Sequence, residues 1–280
     1  MRRFDYLRPK TLKEALQLKK TIAGARYISG GTDLIVQIKN RELQPTALIS
    51  LRSIPELAPI EVNGGARIGA LATISDIIQH QELGHNYPVL VEAARSLGSV
   101  QIRNVASIGG NLCNCSPSAD MALPLLVLEA KVRLQSAKAS REIPLSEFFR
   151  GPGESCLASN EILTDILLDP PRQKAKAAFL KKGRVKMDLA VASLAVLLEM
   201  EEGRCRKARI AAGSVAPIPL RLFKVEALLE GNAISKDLVS KAQQLARDIV
   251  SPITDVRATQ EYRRQIICVY VKRGLEKILG

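Results

Sequence analysis

Ser107-Ile108-Gly109-Gly110-Asn111-Leu112 lies within QIRNVASIGGNLCNCSPSADMALPLL, Gln101 to Leu126, and its reading decides the fold. A near twin stands upstream in Tyr27-Ile28-Ser29-Gly30-Gly31-Thr32-Asp33-Leu34. Each reads as a short apolar strand, a Gly-Gly pair, polar residues and a new apolar run. Glycine pairs permit positive φ and a close approach of backbone to a ligand. Their N–H groups can then converge on one concavity, which suits an anion such as a pyrophosphate. Thr32, Ser107 and Asn111 add side-chain donors beside those amides. Neither loop has the G-x-G-x-x-G of a Rossmann turn or the G-x-x-x-x-G-K-[ST] of a P-loop. On spacing alone, two readings stand: plain turns, or a dinucleotide cradle.

Downstream, Asp120 ends Ser116-Pro117-Ser118-Ala119-Asp120 and precedes the apolar run Met121 to Leu128. It reads either as a helix N-cap or as a carboxylate that accepts hydrogen bonds from ribose hydroxyls. No nucleophile elbow and no H-E-x-x-H occurs, and His80 and His85 lie in a polar segment. Any chemistry would therefore come from a bound cofactor.

Outward from the loops, Thr11 and Glu14 predict a capping box opening a helix with Leu12, Ala15 and Leu16. Ala25 to Ser29 reads as a strand, and Thr32 or Asp33 as the cap of a helix carrying Leu34, Ile35 and Ile38. Leu48 to Leu51 is a further strand. Ile60 to Val62, Asn63-Gly64-Gly65 and Ala66 to Leu71 form a hairpin. Pro88 opens a helix that runs to Leu97 and stops at Gly98. Lys131 to Gln135 and Glu161 to Leu168 are strands, and Pro170-Pro171 is the candidate linker. Beyond it, Ala177 to Lys181, Leu189 to Met200 and Arg206 to Ala212 read as strands, the middle one equally compatible with a helix. Helices over Leu220 to Glu230, Ser235 to Val250 and Thr259 to Leu279 complete an α+β unit.

The chain has 280 residues and a formal net charge of +13. Aromatic residues are only 4% and tryptophan is absent, so stacking platforms for nucleic acid are scarce. The basic run Arg172 to Lys186 reads as a solvated face, or as a docking surface for an acidic partner or phosphate-bearing ligand. The five cysteines are irregularly spaced without a CxxC pair, so neither a disulfide framework nor a metal site is expected. Cys113 and Cys115 read as small loop residues. No apolar run has membrane-helix length, and Met1 to Lys20 reads as structure rather than an export signal. A cytoplasmic location is the expectation.

At this point a resemblance enters. ISGGTDL, Ile28 to Leu34, resembles the first FAD loop of the flavoprotein subunits of molybdenum hydroxylases, the xanthine dehydrogenase and carbon monoxide dehydrogenase type. Gln101 to Leu126 resembles their most diagnostic motif. IGALATISDI between the loops, EIL at Glu161, FLKKGR at Phe179, PIPLR at Pro217 and PITDVRATQEYRRQI at Pro252 are similar to further family motifs, so the match spans nearly the whole chain.

The resemblance implies a two-lobed FAD-binding domain of the vanillyl-alcohol-oxidase-like type over 1–170, with lobes of about 1–55 and 56–170. A small domain of antiparallel sheet plus three-helix bundle would follow over 171–280. It further implies that Tyr27 to Leu34 wrap the pyrophosphate and adenosine end of FAD. Ser107, Ile108 and Gly109 to Asn111 would complete the cradle, and Asp120 would bind ribose or ribityl. Leu97 and Leu163 would lie near the flavin ring, with Lys181 at its polar edge. FAD would be non-covalent, since no histidine sits in either loop, and no inserted cysteine-rich loop signals a [4Fe–4S] cluster. A small [2Fe–2S] subunit and a large molybdopterin subunit are the implied partners, in a dimer of heterotrimers. NAD⁺, a quinone or oxygen would be the final acceptor. A stand-alone flavin oxidase is the competing reading, and turnover without partners would favour it. A basic nucleic-acid-binding protein is the third, marked by salt-sensitive binding and no colour.

Overall fold

A computed structural model describes residues 3–172 and 174–280. The amino-terminal part is β1 (Asp5–Leu7), α1 (Leu12–Thr21), β2 (Arg26–Ile28), α2 (Leu34–Lys39) and β3 (Ala47–Ser50). The strands form a parallel sheet in the order β1-β3-β2. Alternation in β3 sends Ala47 and Ile49 toward Leu12, Ala15 and Leu16 of α1, and Leu48 toward Ile38 of α2. Both faces are thus covered, as short parallel strands require. Thr11 caps α1 by accepting from the Glu14 N–H at 3.2 Å. The expected capping box is not completed there, because the Glu14 carboxylate instead accepts from the Lys10 N–H. A full capping box forms at Thr73 and Asp76.

The middle part holds β4 (Ile60–Asn63), β5 (Gly65–Gly69), α3 (Ile74–Gln79), α4 (Gln81–Asn86), α5 (Pro88–Ser96), α6 (Val100–Arg103), α7 (Ile108–Cys113) and α8 (Ala122–Val127). It continues with β6 (Lys131–Gln135), β7 (Ser140–Pro144), β8 (Phe149–Gly151), β9 (Glu154–Ser155) and β10 (Ile162–Leu168). The main sheet is antiparallel, in the order β4-β5-β10-β6-β7. Gly64 turns the β4–β5 hairpin at φ +76°, a conformation only glycine takes freely. The helices bury their apolar faces on this sheet, with Ile68, Ile74, Leu90, Ile108 and Ile166 at the centre.

Past the double proline lie β11 (Ala175–Lys182), β12 (Ala192–Glu201), β13 (Arg204–Gly213) and β14 (Leu220–Arg221), then α9 (Phe223–Leu229), α10 (Lys236–Ile249) and α11 (Gln260–Leu279). The sheet order is β11-β12-β13-β14, all antiparallel. The ambiguous middle segment is a strand. Residues Ala192 to Glu199 are all buried because one face of β12 packs on α11 and the other on α8. Burial on both faces removes the polar–apolar alternation that would have marked it. Leu220 and Arg221 pair with Ala212 and Ala211 instead of starting the helix.

Charge pairs tie this part to the middle one. Arg209, 4% exposed, reaches Glu129 at 2.8 Å, and Arg172 bridges Glu129 at 2.9 Å and Glu199 at 2.6 Å. The basic run is therefore not one solvated face. Lys181 is held internally by its ion pair and Arg172 is paired though exposed, while Lys174, Lys176, Lys182, Arg184 and Lys186 are exposed.

Candidate functional site

The two glycine loops, one from the amino-terminal part and one from the middle part, lie against each other. Ser29 Oγ and Ser107 Oγ share a hydrogen bond of 2.8 Å. A Cβ at Gly30 would stand 2.0 Å from the Val105 carbonyl oxygen, and one at Gly110 would stand 2.9 Å from Ser29 Oγ. At Gly109 it would lie 2.6 Å from the Ala70 methyl. Of these loop glycines only Gly31 has positive φ, at +73°. Close packing between segments, rather than unusual dihedrals, is what demands glycine at the other positions.

The loops differ in a way the shared pattern concealed. Val105 to Ile108 forms no strand. Ser107 caps α7, its Oγ accepting from the Gly110 N–H at 3.1 Å. The N–H groups of Ile108, Gly109 and Asn111 donate to the carbonyls of Ala72, Ala70 and Ser107 at 3.0, 2.9 and 3.0 Å. A serine placed to cap the turn favours a helical start over a ladder here. The second loop's amides are thus bonded within the chain, and Ile108, 0% exposed, turns its side chain into the core. In the first loop, by contrast, no hydrogen bond among the described residues engages the N–H groups of Gly30, Gly31, Thr32, Asp33 or Leu34. Neither Thr32 nor Asp33 caps α2 with its side chain. In the second loop, Asn111 Oδ1 is buried without a partner.

Asp120 is not an N-cap, since α8 begins beyond it and Met121 holds the cap position. It is 4% exposed, and its Oδ2 accepts from Lys181 Nζ at 2.6 Å while Oδ1 has no partner. Burial pushes its carboxyl above the usual range, against the opposing pull of Lys181. Lys181 Nζ also donates to the Ser96 carbonyl at 3.0 Å, next to Leu97. Leu97 and Leu163 belong to one buried cluster. Tyr27 is half-buried, its hydroxyl donating to the Ala15 carbonyl at 3.4 Å, and burial raises its phenol.

Sequence reading missed the residues that hold these in place. Arg103 Nη1 donates to the carbonyls of Leu97 and Gly98, both at 2.9 Å, and so fixes the turn after α5. Gly98 signalled that turn, but nothing in the sequence said which side chain would close it. Cys115 is buried, with its thiol donating to the Leu112 carbonyl at 3.3 Å, and burial raises it to about 12. Cys115 thus packs in the core, whereas Cys113, read with it as a small loop residue, is exposed.

Unclaimed amides in the first loop suit the phosphates of a dinucleotide, and the orphaned oxygens of Asn111 and Asp120 suit its hydroxyl or amide donors. Comparison with known proteins agrees. Residues 2–170 match the FAD binding domain in molybdopterin dehydrogenase, and residues 177–278 match the CO dehydrogenase flavoprotein C-terminal domain. The carbon monoxide dehydrogenase medium chain of Afipia carboxidovorans is 32% identical over 98% of this chain and 96% of that one. The putative xanthine dehydrogenase FAD-binding subunit of Escherichia coli K12 is 30% identical over 99% and 96%. The solved carbon monoxide dehydrogenase of Hydrogenophaga pseudoflava that lacks the Mo-pyranopterin moiety superposes with a TM-score of 0.97, at 32% identity, covering 99% of this chain and 98% of that one. Both halves matched in order, and relatives aligned end to end, show that the chain belongs to the family of FAD-binding medium subunits of molybdenum-hydroxylase-type dehydrogenases, and so to the oxidoreductases.

Proposed function

We propose that this chain binds FAD between its two lobes and relays electrons from a small [2Fe–2S] subunit to NAD⁺, a quinone or oxygen, substrate hydroxylation taking place on a large molybdopterin subunit. The observation that carries the reading is the row of unclaimed amides from Gly30 to Leu34, in a loop bonded to the second glycine loop through Ser29 and Ser107, together with the buried, unpartnered oxygens of Asn111 and Asp120. When bound, FAD supplies the redox chemistry that couples single-electron donors to a two-electron acceptor. The chain's own residues bind and orient it. Tyr27 to Leu34 hold the pyrophosphate and adenosine end, with Ser29 and Ser107 pinning the loops together. Ser107, Ile108, Gly109, Gly110 and Asn111 form the opposing wall, by packing and by the Asn111 side chain rather than by free amides. Asp120 Oδ1 accepts from ribose or ribityl hydroxyls. Leu97 and Leu163 exclude water from the ring, and Lys181 sets positive charge at its polar edge.

In this reading the two units are 1–170 and 171–280, joined at Pro170-Pro171, and the assembly is a dimer of heterotrimers in the cytoplasm. Among the described residues no helix is long and apolar enough to cross a membrane. The purified protein is expected to absorb at about 370 and 450 nm and to release roughly one FAD per chain on heating. A colourless chain that takes up no added FAD, alone or with its partner subunits, would overturn the reading.

The connection between β11 and β12 exposes Lys182, Arg184 and Lys186, and its Arg184 lines an open depression with Val185, Met187 and Asp188. Its charge suits docking of an acidic partner or attraction of a nicotinamide dinucleotide. Reversing these three charges together should slow assembly or reoxidation by NAD⁺, and more so at low salt. Unchanged assembly and unchanged acceptor kinetics would remove the hairpin from the pathway.

A further inference from the structure

Lys181 stands on β11, an edge strand of the carboxy-terminal sheet, yet its partners Ser96 and Asp120 belong to the middle part. Its position therefore depends on how β11 is seated against α5. One side chain does the seating. Glu92 of α5 accepts a hydrogen bond from the Phe179 N–H at 3.0 Å, on the open edge of β11. Its other oxygen accepts from Lys277 of α11 at 2.5 Å. Without Glu92 that open-edge amide would face the helix unpaired.

The spacing of these contacts matches. Glu92 and Ser96 are four residues apart on a helix, about 6 Å along the axis. Phe179 and Lys181 are two apart on a strand, about 6.7 Å. One turn of α5 thus grips two successive same-face positions of β11: Glu92 holds the backbone of the first, and the Ser96 carbonyl receives the side chain of the second. Phe179 packs its ring into the core that α5 lines, which fixes the face presented. A slip of one strand residue would turn Lys181 away from Asp120 altogether.

We infer that Glu92 is a positioning residue for the flavin site: by fixing the register of β11 on α5 it sets where the Lys181 ammonium stands, and with it the field at the edge of the bound cofactor. The inference rests on the reading that places Lys181 beside FAD. Glu92 acts through the strand and does not touch the cofactor.

The test is a dye-equilibrated reduction titration of the FAD-loaded protein, with the flavin absorption spectrum recorded in parallel. Lys181→Gln removes the cation and should lower the flavin midpoint potential, because a nearby positive charge favours the electron-rich reduced form. Glu92→Ala should lower it in the same direction by a smaller amount, and weaken FAD binding about tenfold. Glu92→Asp, one methylene shorter, retracts from the Phe179 amide and should fall between Glu92→Ala and the unaltered protein, which keeps the test alive where the alanine variant folds poorly. Glu92→Gln retains an oxygen for that amide and should restore the potential. Lys277→Gln leaves the strand contact intact and should change nothing. In a Lys181→Gln background, Glu92→Asp should have no further effect on the potential.

A lowered potential in Lys181→Gln combined with an unaltered one in Glu92→Ala and Glu92→Asp overturns the role of Glu92 alone. An unaltered potential in Lys181→Gln overturns the placement of Lys181 beside the flavin, and the inference with it.

Discussion

Replacing Arg263 by methionine is expected to destabilise the fold by about 3–5 kcal/mol, the loss typical of breaking a buried charged network from one side. Arg263 is 3% exposed and sits on α11. Its Nη1 donates to the carbonyls of Val191 at 2.7 Å and Ser214 at 3.0 Å, and its Nη2 pairs with Asp255 Oδ1 at 2.7 Å. Methionine fills the space but leaves the Val191 and Ser214 carbonyls without their guanidinium donor and strips Asp255 of one of its cations. Val191 ends the hairpin that begins after Lys182, so the same guanidinium also anchors the base of the strand that carries Lys181. Thermal unfolding should show a midpoint lower by on the order of 10 °C. A change of less than about 2 °C would show that the guanidinium contributes no more than a surface pair does.

The acid limb carries a signature of this cluster. Burial disfavours ionisation of Asp255, but the Arg257 amide, the Arg263 guanidinium and the Ala258 amide outweigh it and hold the carboxyl at about 2. The folded value lies below the unfolded one. The group's contribution is therefore present above the unfolded value and is lost as pH falls from about 3.8 toward about 2. Removing Arg263 weakens that shift. The stability gap between the two proteins should accordingly narrow as pH drops through this window, which denaturant titrations at stepped pH would measure.

The second large effect is expected at Gly30. An added methyl would stand 2.0 Å from the Val105 carbonyl oxygen and 2.7 Å from its carbon, and both are backbone. Neither atom can swing aside, so Gly30→Ala must push the first loop off the second and break the Ser29–Ser107 hydrogen bond. Overpacking of this kind costs about 1–3 kcal/mol, which is roughly a 5- to 150-fold loss of FAD affinity where the strain is relieved by opening the cradle. Gly84→Ala is the matched control. Gly84 lies in α4, has no heavy atom within 4 Å of an added Cβ, and should gain up to about 1 kcal/mol of stability with FAD binding unchanged. Fluorescence titration with FAD separates the two. Equal affinity in Gly30→Ala and the unaltered chain would mean that contact between the loops is not part of the binding site.

These variants also mark where sequence reading worked. Local rules carried it wherever a residue's conformation depends on its neighbours in the chain. Thr11 caps its helix, Gly64 turns its hairpin, Pro88 and Gly98 bracket α5, and the long apolar periodicities gave α10 and α11 within a residue or two. The motif around Gln101 to Asp120 carried the family, because its composition is specific over a long stretch. The same rules failed at Ser107 to Asn111. A serine, an isoleucine and two glycines looked like the end of a strand, as the first loop is, but became a helical first turn whose amides bond to Ala70 and Ala72. At Asp120 the structure removes one of two readings: Met121 takes the cap position, and the carboxylate pairs instead with Lys181, 61 residues away.

The sequence by itself thus determined most of the longer elements, the α+β character and the cofactor class, since each depends on short-range spacing or on a composed motif. Tertiary structure alone decided which loop keeps its amides free. It decided that the glycines serve contact between lobes more than dihedral freedom. It also decided that Asp120, Lys181, Ser96 and Glu92 form one assembly across the two halves. The last is a consequence of one turn of α5 lying beside two residues of β11, a match of two lengths that no single segment encodes.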